Sequence, residues 1–73
     1  MEGFGKRLLS VRLSLGLTQE EVCERLGITR GCLSRLENGK RLPLFLIAYQ
    51  LAVFYDCSLD YLAGRSSILK VVN

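Results

Sequence analysis

Seventy-three residues, 49% of them hydrophobic, hold one domain around one core, and a chain this short buries only about 60% of its unfolded surface. Ten Lys and Arg against seven Asp and Glu leave a net charge of +3, too mild to imply nucleic acid by itself. With no His, three Cys without a CxxC pair and no apolar run near the ~18 residues of a membrane span, zinc sites and transmembrane segments lack their signatures.

A soluble cytoplasmic protein with reduced thiols is expected, with no cofactor, metal or small-molecule ligand. Enzymatic chemistry is not expected either, since the chain has neither a carboxylate pair in a plausible cleft nor a Gly-rich phosphate loop. The distribution of charge says more than its sum. Glu20, Glu21 and Glu24 cluster ahead of Gly27, whereas Arg30, Arg35, Lys40 and Arg41 follow it with only Glu37 among them.

The first helix is predicted from near Phe4 to about Leu15, because Phe4, Leu8, Val11 and Leu15 form one amphipathic stripe. Gly16 stands where a left-handed cap belongs, with Leu17 closing the hydrophobic contact. Arg12 lies beside the stripe, as a residue destined for an ion pair would.

Thr18 opens the second helix, and Glu21 three residues on completes a capping box. Val22, Cys23 and Leu26 share its apolar arc. Gln19 points with that arc although it is polar. Its amide is either solvated or donated to a phosphate at the helix start.

Gly27, Ile28 and Thr29 make a short turn of the helix-turn-helix kind, and Thr29 can cap the third helix. At about 100° per residue, Leu33 and Leu36 face inward with Cys32 flanking them. Arg30, Gly31, Ser34 and Arg35 share the opposite arc, which contains no acid. That arc is either a solvated face or one that lies in a major groove, where Arg grips guanine bidentately. Glu37 falls at the edge of the inward arc. A half-buried carboxylate needs a partner, and Arg12 has the matching position.

Asn38 and Gly39 end the helix, Gly39 at positive φ. Lys40 and Arg41 follow as a basic exit loop, a surface turn or a phosphate contact. Pro43 suits the first turn of a fourth helix, whose inward stripe is expected to be Phe45, Ala48, Leu51, Ala52 and Tyr55. Leu46, Ile47, Val53 and Phe54 remain as an apolar surplus, buried by the C-terminal tail or by another subunit. Asp56 and Cys57 connect to a last short helix, capped by Ser58, containing Leu59, Tyr61 and Leu62 and ending at Gly64. Residues 65–73 form a tail in which Ile68 and Leu69 are again apolar, packing on helix four or on a symmetry mate.

Three segments, TQEEVCERLGI, TRGCLSRLENGKRLP and SLDYLAG, in this order and at these intervals, resemble the phage repressor and Cro-like (XRE-type) helix-turn-helix family over about residues 4–64. The resemblance implies an all-α, lambda-repressor-like five-helix bundle with the helix-turn-helix at helices two and three, binding double-stranded operator DNA as a homodimer. It implies base contacts from Arg30, Gly31, Ser34 and Arg35, and backbone contacts from Gln19, Thr29, Asn38, Lys40 and Arg41. The Arg12–Glu37 pair resembles a structural salt bridge of such repressors.

The chain departs from the family at three points. Gly31 offers no side chain where many relatives carry a reading residue. Cys32 replaces a small hydroxyl residue, leaving a thiol near the DNA side. Helix four is unusually apolar, which makes Leu46, Ile47 and Phe54, with Ile68 and Leu69, the expected dimer contacts. The alternative is an antitoxin-like or adaptor module that uses the same face to dock another protein.

Overall fold

The computed structural model describes residues 3–65. Five helices carry them: α1 (Phe4–Ser14), α2 (Gln19–Leu26), α3 (Arg30–Glu37), α4 (Phe45–Tyr55) and α5 (Leu59–Leu62). The expected contacts at Ile68 and Leu69 lie outside the described residues.

Most helix ends are set by residues within one turn. Thr18 Oγ1 accepts from the Glu21 N–H at 3.1 Å, and the Glu21 carboxylate accepts from the Thr18 N–H at 2.9 Å. This completes the capping box. The bond from the Thr18 backbone is the main reason the Glu21 carboxyl is held below its ordinary range. Thr29 and Ser58 cap α3 and α5 in the same way, accepting from the N–H groups of Cys32 and Tyr61 at 3.1 and 3.0 Å. At the far end of α3, Gly39 takes φ +72°. The Lys40 N–H can then reach back to the Arg35 carbonyl at 2.9 Å. Asp56 ends α4 in the left-handed region, φ 54°, which Asp enters more readily than most residues.

α1 packs on α3 and α5, α2 on α3, and α4 on α5. Each helix contributes at least one fully buried side chain, from Leu8, Val22, Leu33, Leu36, Leu51 and Leu62. Each such burial stabilises by about 1.5–3 kcal/mol, so one core ties all five helices together. α1 and α3 come close together at Gly5. A β-carbon there would lie 2.5 Å from the Leu36 carbonyl oxygen and 2.7 Å from that of Glu37.

The structure corrects three expectations about the apolar stripes. Leu15 is exposed, because α1 stops at Ser14 and the chain turns away; Leu17 packs on the core instead. Pro43 is not in the first turn of α4. It precedes the extended N-cap Leu44, which leaves α4 to begin at Phe45. Phe45 is 73% exposed rather than inward, since the first turn of α4 overhangs the core that Ala48, Leu51, Ala52 and Tyr55 fill.

The surplus on α4 also divides differently. Ile47 and Phe54 are half-buried against the chain's own core, and the Arg25 guanidinium sits 5.6 Å from the Phe54 ring centre. They are not the free face. On α4 and the segment leading into it, the exposed large apolar residues are Leu42, Leu44, Phe45, Leu46, Tyr49 and Val53, with Phe45 and Tyr49 stacked at 6.3 Å between ring centres.

Candidate nucleic-acid interface

α3 separates its two faces sharply. Leu33 and Leu36 are fully buried, while Arg30, Gly31 and Arg35 are exposed and Ser34 is half-buried on the outward side. The four residues expected to share an arc therefore do so. Arg30 Nη1 lies 3.4 Å from Glu20 Oε1 across the turn, an exposed pair of the kind worth at most ~1 kcal/mol. The Arg35 guanidinium folds back over Gly31. Asn38 Nδ2 donates to the Ser34 carbonyl at 2.9 Å and to Ser34 Oγ at 3.2 Å. Ser34 Oγ thus accepts from within the protein, which frees its own O–H to donate outward.

Beneath the arc, Glu37 joins three elements. Arg12 of α1 donates through Nε to Glu37 Oε2 at 2.7 Å and through Nη2 to Oε1 at 3.1 Å, while Nη1 donates to the Leu17 carbonyl at 2.9 Å. Gln19, at the start of α2, donates Nε2 to Glu37 Oε1 at 2.9 Å. Both charged side chains of the pair are buried. A bidentate fork of this kind gives direction as well as attraction. The bond to Glu37 raises the Arg12 pKa above its usual value against the opposing effect of burial. Burial, with the Glu37 charge adding to it, likewise pushes the Tyr55 phenol above its ordinary range.

Gln19 thus has an internal partner that the helical wheel did not indicate. One amide N–H is committed to Glu37, and the second is available at the α2 N-terminus. Thr29 Oγ1 is occupied as an acceptor by its cap and keeps its own O–H to donate. Asn38, Lys40 and Arg41 are exposed beside the C-terminus of α3, forming a basic rim around the arc. Two residues that shape this surface escaped the sequence reading. Gly5 sets how near α1 comes to the end of α3, and Glu20 reaches across to Arg30. A helical wheel handles one helix at a time and signals neither.

The three thiols are free, with Cys23 and Cys57 buried and Cys32 half-buried. Burial raises the pKa values of Cys23 and Cys57. Among the described residues, no His, Cys, Asp or Glu cluster could hold a metal ion, and no helix is long and apolar enough to cross a membrane.

Residues 8–62 match the family model described as helix-turn-helix. The chain is 38% identical over 66 residues to the HTH-type transcriptional regulator ImmR of Bacillus subtilis (strain 168), covering 90% of this chain and 52% of that protein. It is 46% identical over 41 residues to an uncharacterized HTH-type transcriptional regulator of Methanothermobacter thermautotrophicus, covering 56% and 59% respectively. With the uncharacterized HTH-type transcriptional regulator YazB of Bacillus subtilis (strain 168) it shares 37% identity over 62 residues, 85% of this chain and 90% of the relative. The chain thus spans little more than half the length of the first two relatives.

Proposed function

The chain belongs to the helix-turn-helix family, and from that premise we propose that it is a sequence-specific double-stranded DNA-binding transcriptional regulator. On this reading it is a repressor that binds a palindromic operator as a homodimer. The observation that carries the reading is the outward arc of α3, with Arg30, Ser34 and Arg35 on a helix whose opposite face is fully buried. Arg30 and Arg35 supply base discrimination through bidentate contact with guanine. The second N–H of Gln19, the Thr29 hydroxyl, and Asn38, Lys40 and Arg41 donate to phosphates and hold the helix in register.

The described domain carries a single outward-facing recognition helix, α3, whereas successive major grooves on one side of a duplex recur at about 34 Å. One copy covers one groove, and a two-fold site takes two. The exposed face of α4 supports pairing. Residues 42–55 contain no Lys, Arg, Asp or Glu, so two copies can meet there without like-charge repulsion. Phe45, Leu46, Tyr49 and Val53 are the contacts, in place of Ile47 and Phe54.

Enrichment of bound duplexes from a random pool is expected to return a two-fold symmetric sequence. Arg35→Ala is expected to lose about 1–3 kcal/mol of binding and relax preference at one base pair per half-site, whereas Lys40→Ala weakens all sequences alike and lowers the salt slope by about 1. Equal cognate-to-scrambled ratios for wild type and Arg35→Ala would refute the readout. Sedimentation is expected to give a dimer, and Tyr49→Glu to weaken it by about 2 kcal/mol or more, as removal of a central aromatic contact does. An adaptor module is the second reading, favoured by the same α4 face; a monomer that enriches no sequence would support it.

A further inference from the structure

We propose that Gly31 is a specificity-determining residue of α3 by virtue of the room it leaves, because that room sets where the Arg35 guanidinium sits. The inference rests on the DNA-binding reading above and concerns the same arc.

Neither usual reason for a glycine applies at position 31. Its backbone is ordinary right-handed helix, unlike Gly27 and Gly39, whose φ values are positive. No other helix approaches it, unlike Gly5, which faces the main chain of α3. Apart from its chain neighbours and the backbone of its own helix, the three atoms nearest a β-carbon built on Gly31 all belong to Arg35, with Nη2 at 3.3 Å, Nη1 at 3.8 Å and Cζ at 3.9 Å. Glycine also weakens a helix relative to alanine, so the position sacrifices local stability without a backbone need.

The geometry follows from helix stereochemistry. Residues four apart are stacked neighbours, and long side chains run back towards the helix N-terminus. Arg35 therefore reaches over the preceding turn, and the missing side chain at 31 lets its guanidinium lie low against the helix. The ion pairs Arg12–Glu37 and Arg30–Glu20 leave Arg35 without a carboxylate partner among the described residues. Space steers it instead. N-terminal residues of a recognition helix meet base edges in the major groove, and Gly31 brings the fork of Arg35 into that region. Arg35 makes the contact and Gly31 positions it.

The test uses the full chain as wild type, Gly31→Ala, Gly31→Val, Arg35→Ala and Gly31→Val/Arg35→Ala. Each is taken through duplex selection from a random pool and a thermal melt. Gly31→Val places methyl groups where the guanidinium lies, and Gly31→Ala gives a milder push with a better helix former. The expected result is that Gly31→Val changes preference at the base pair that Arg35→Ala relaxes. The cognate-to-scrambled ratio falls roughly 5- to 150-fold, the worth of one bidentate contact. Gly31→Ala shifts the same base pair by less, with a melting midpoint no lower than wild type. In the Arg35→Ala background, the valine has no further effect at that base pair. If Gly31→Val alters specificity equally with and without Arg35, the positioning role is overturned while the DNA-binding reading stands. If wild type enriches no sequence, that reading fails and this inference with it.

Discussion

Replacing Glu37 with Ala is expected to cost the domain about 3–5 kcal/mol, the range for removing one partner of a buried ion pair. The loss is large because Glu37 accepts from Arg12 twice and from Gln19 once. Without it, a buried guanidinium retains only the Leu17 carbonyl. At 0.05–0.15 kcal/mol per residue, a 73-residue domain holds in total about 4–11 kcal/mol, so the variant lies near the edge of unfolding. Urea titration reads this as a lower midpoint with an unchanged slope. The companion variant Arg12→Met/Glu37→Leu is expected to recover much of the loss, since apolar replacement of both partners removes the stranded charge. Recovery stays partial because the Leu17 carbonyl and Gln19 lose their partners. A double variant no more stable than Glu37→Ala would contradict this account.

Gly5→Ala is the second large effect, and its sign runs against helix propensity. Alanine is favoured over glycine inside a helix by up to about 1 kcal/mol. Here, however, the added carbon would stand 2.5 Å from the Leu36 carbonyl oxygen. The neighbour is main chain, so no rotamer change relieves the clash, and α1 or the last turn of α3 must move. Overpacking of this kind costs about 1–3 kcal/mol, occasionally more. We expect the upper end, and a melting midpoint lowered by on the order of 10 °C after the propensity gain is subtracted. The contrast with Gly31→Ala is the control, because only a flexible side chain faces that position. A Gly5→Ala midpoint at or above wild type would mean that α1 does not approach α3 as described.

What could be read from the sequence was local chemistry. The Thr18–Glu21 box, the Thr29 and Ser58 caps and the left-handed Gly39 depend on groups within four or five residues of one another. The Arg12–Glu37 pairing was reachable because a carboxylate on an inward arc requires a cation. Gly5 carries no such mark. Its lack of a side chain acquires meaning only when the carbonyls of Leu36 and Glu37 stand opposite, and the packing angle of two helices decides that. The turn of Gln19 towards Glu37 and the reach of Glu20 to Arg30 depend on how α2 crosses α3. α4 was misread for a different reason. A helix apolar on nearly every side has no phase to read, so the exposed face at Phe45, Tyr49 and Val53 could not be told from the half-buried one at Ile47 and Phe54.

The seam between α1 and α3 also has a kinetic side. Capping is a matter of neighbours along the chain, and helical domains dominated by local contacts fold in microseconds to milliseconds. The seam is not local, since Arg12 and Glu37 are 25 residues apart and the chain entropy lost in bringing them together precedes any bond they make. The expected order of assembly is caps early and seam late. Until it closes, the outward arc of α3 has no fixed place on the molecule. The buried fork of Arg12 and Glu37 thus sets when the surface comes into being as well as where it stands.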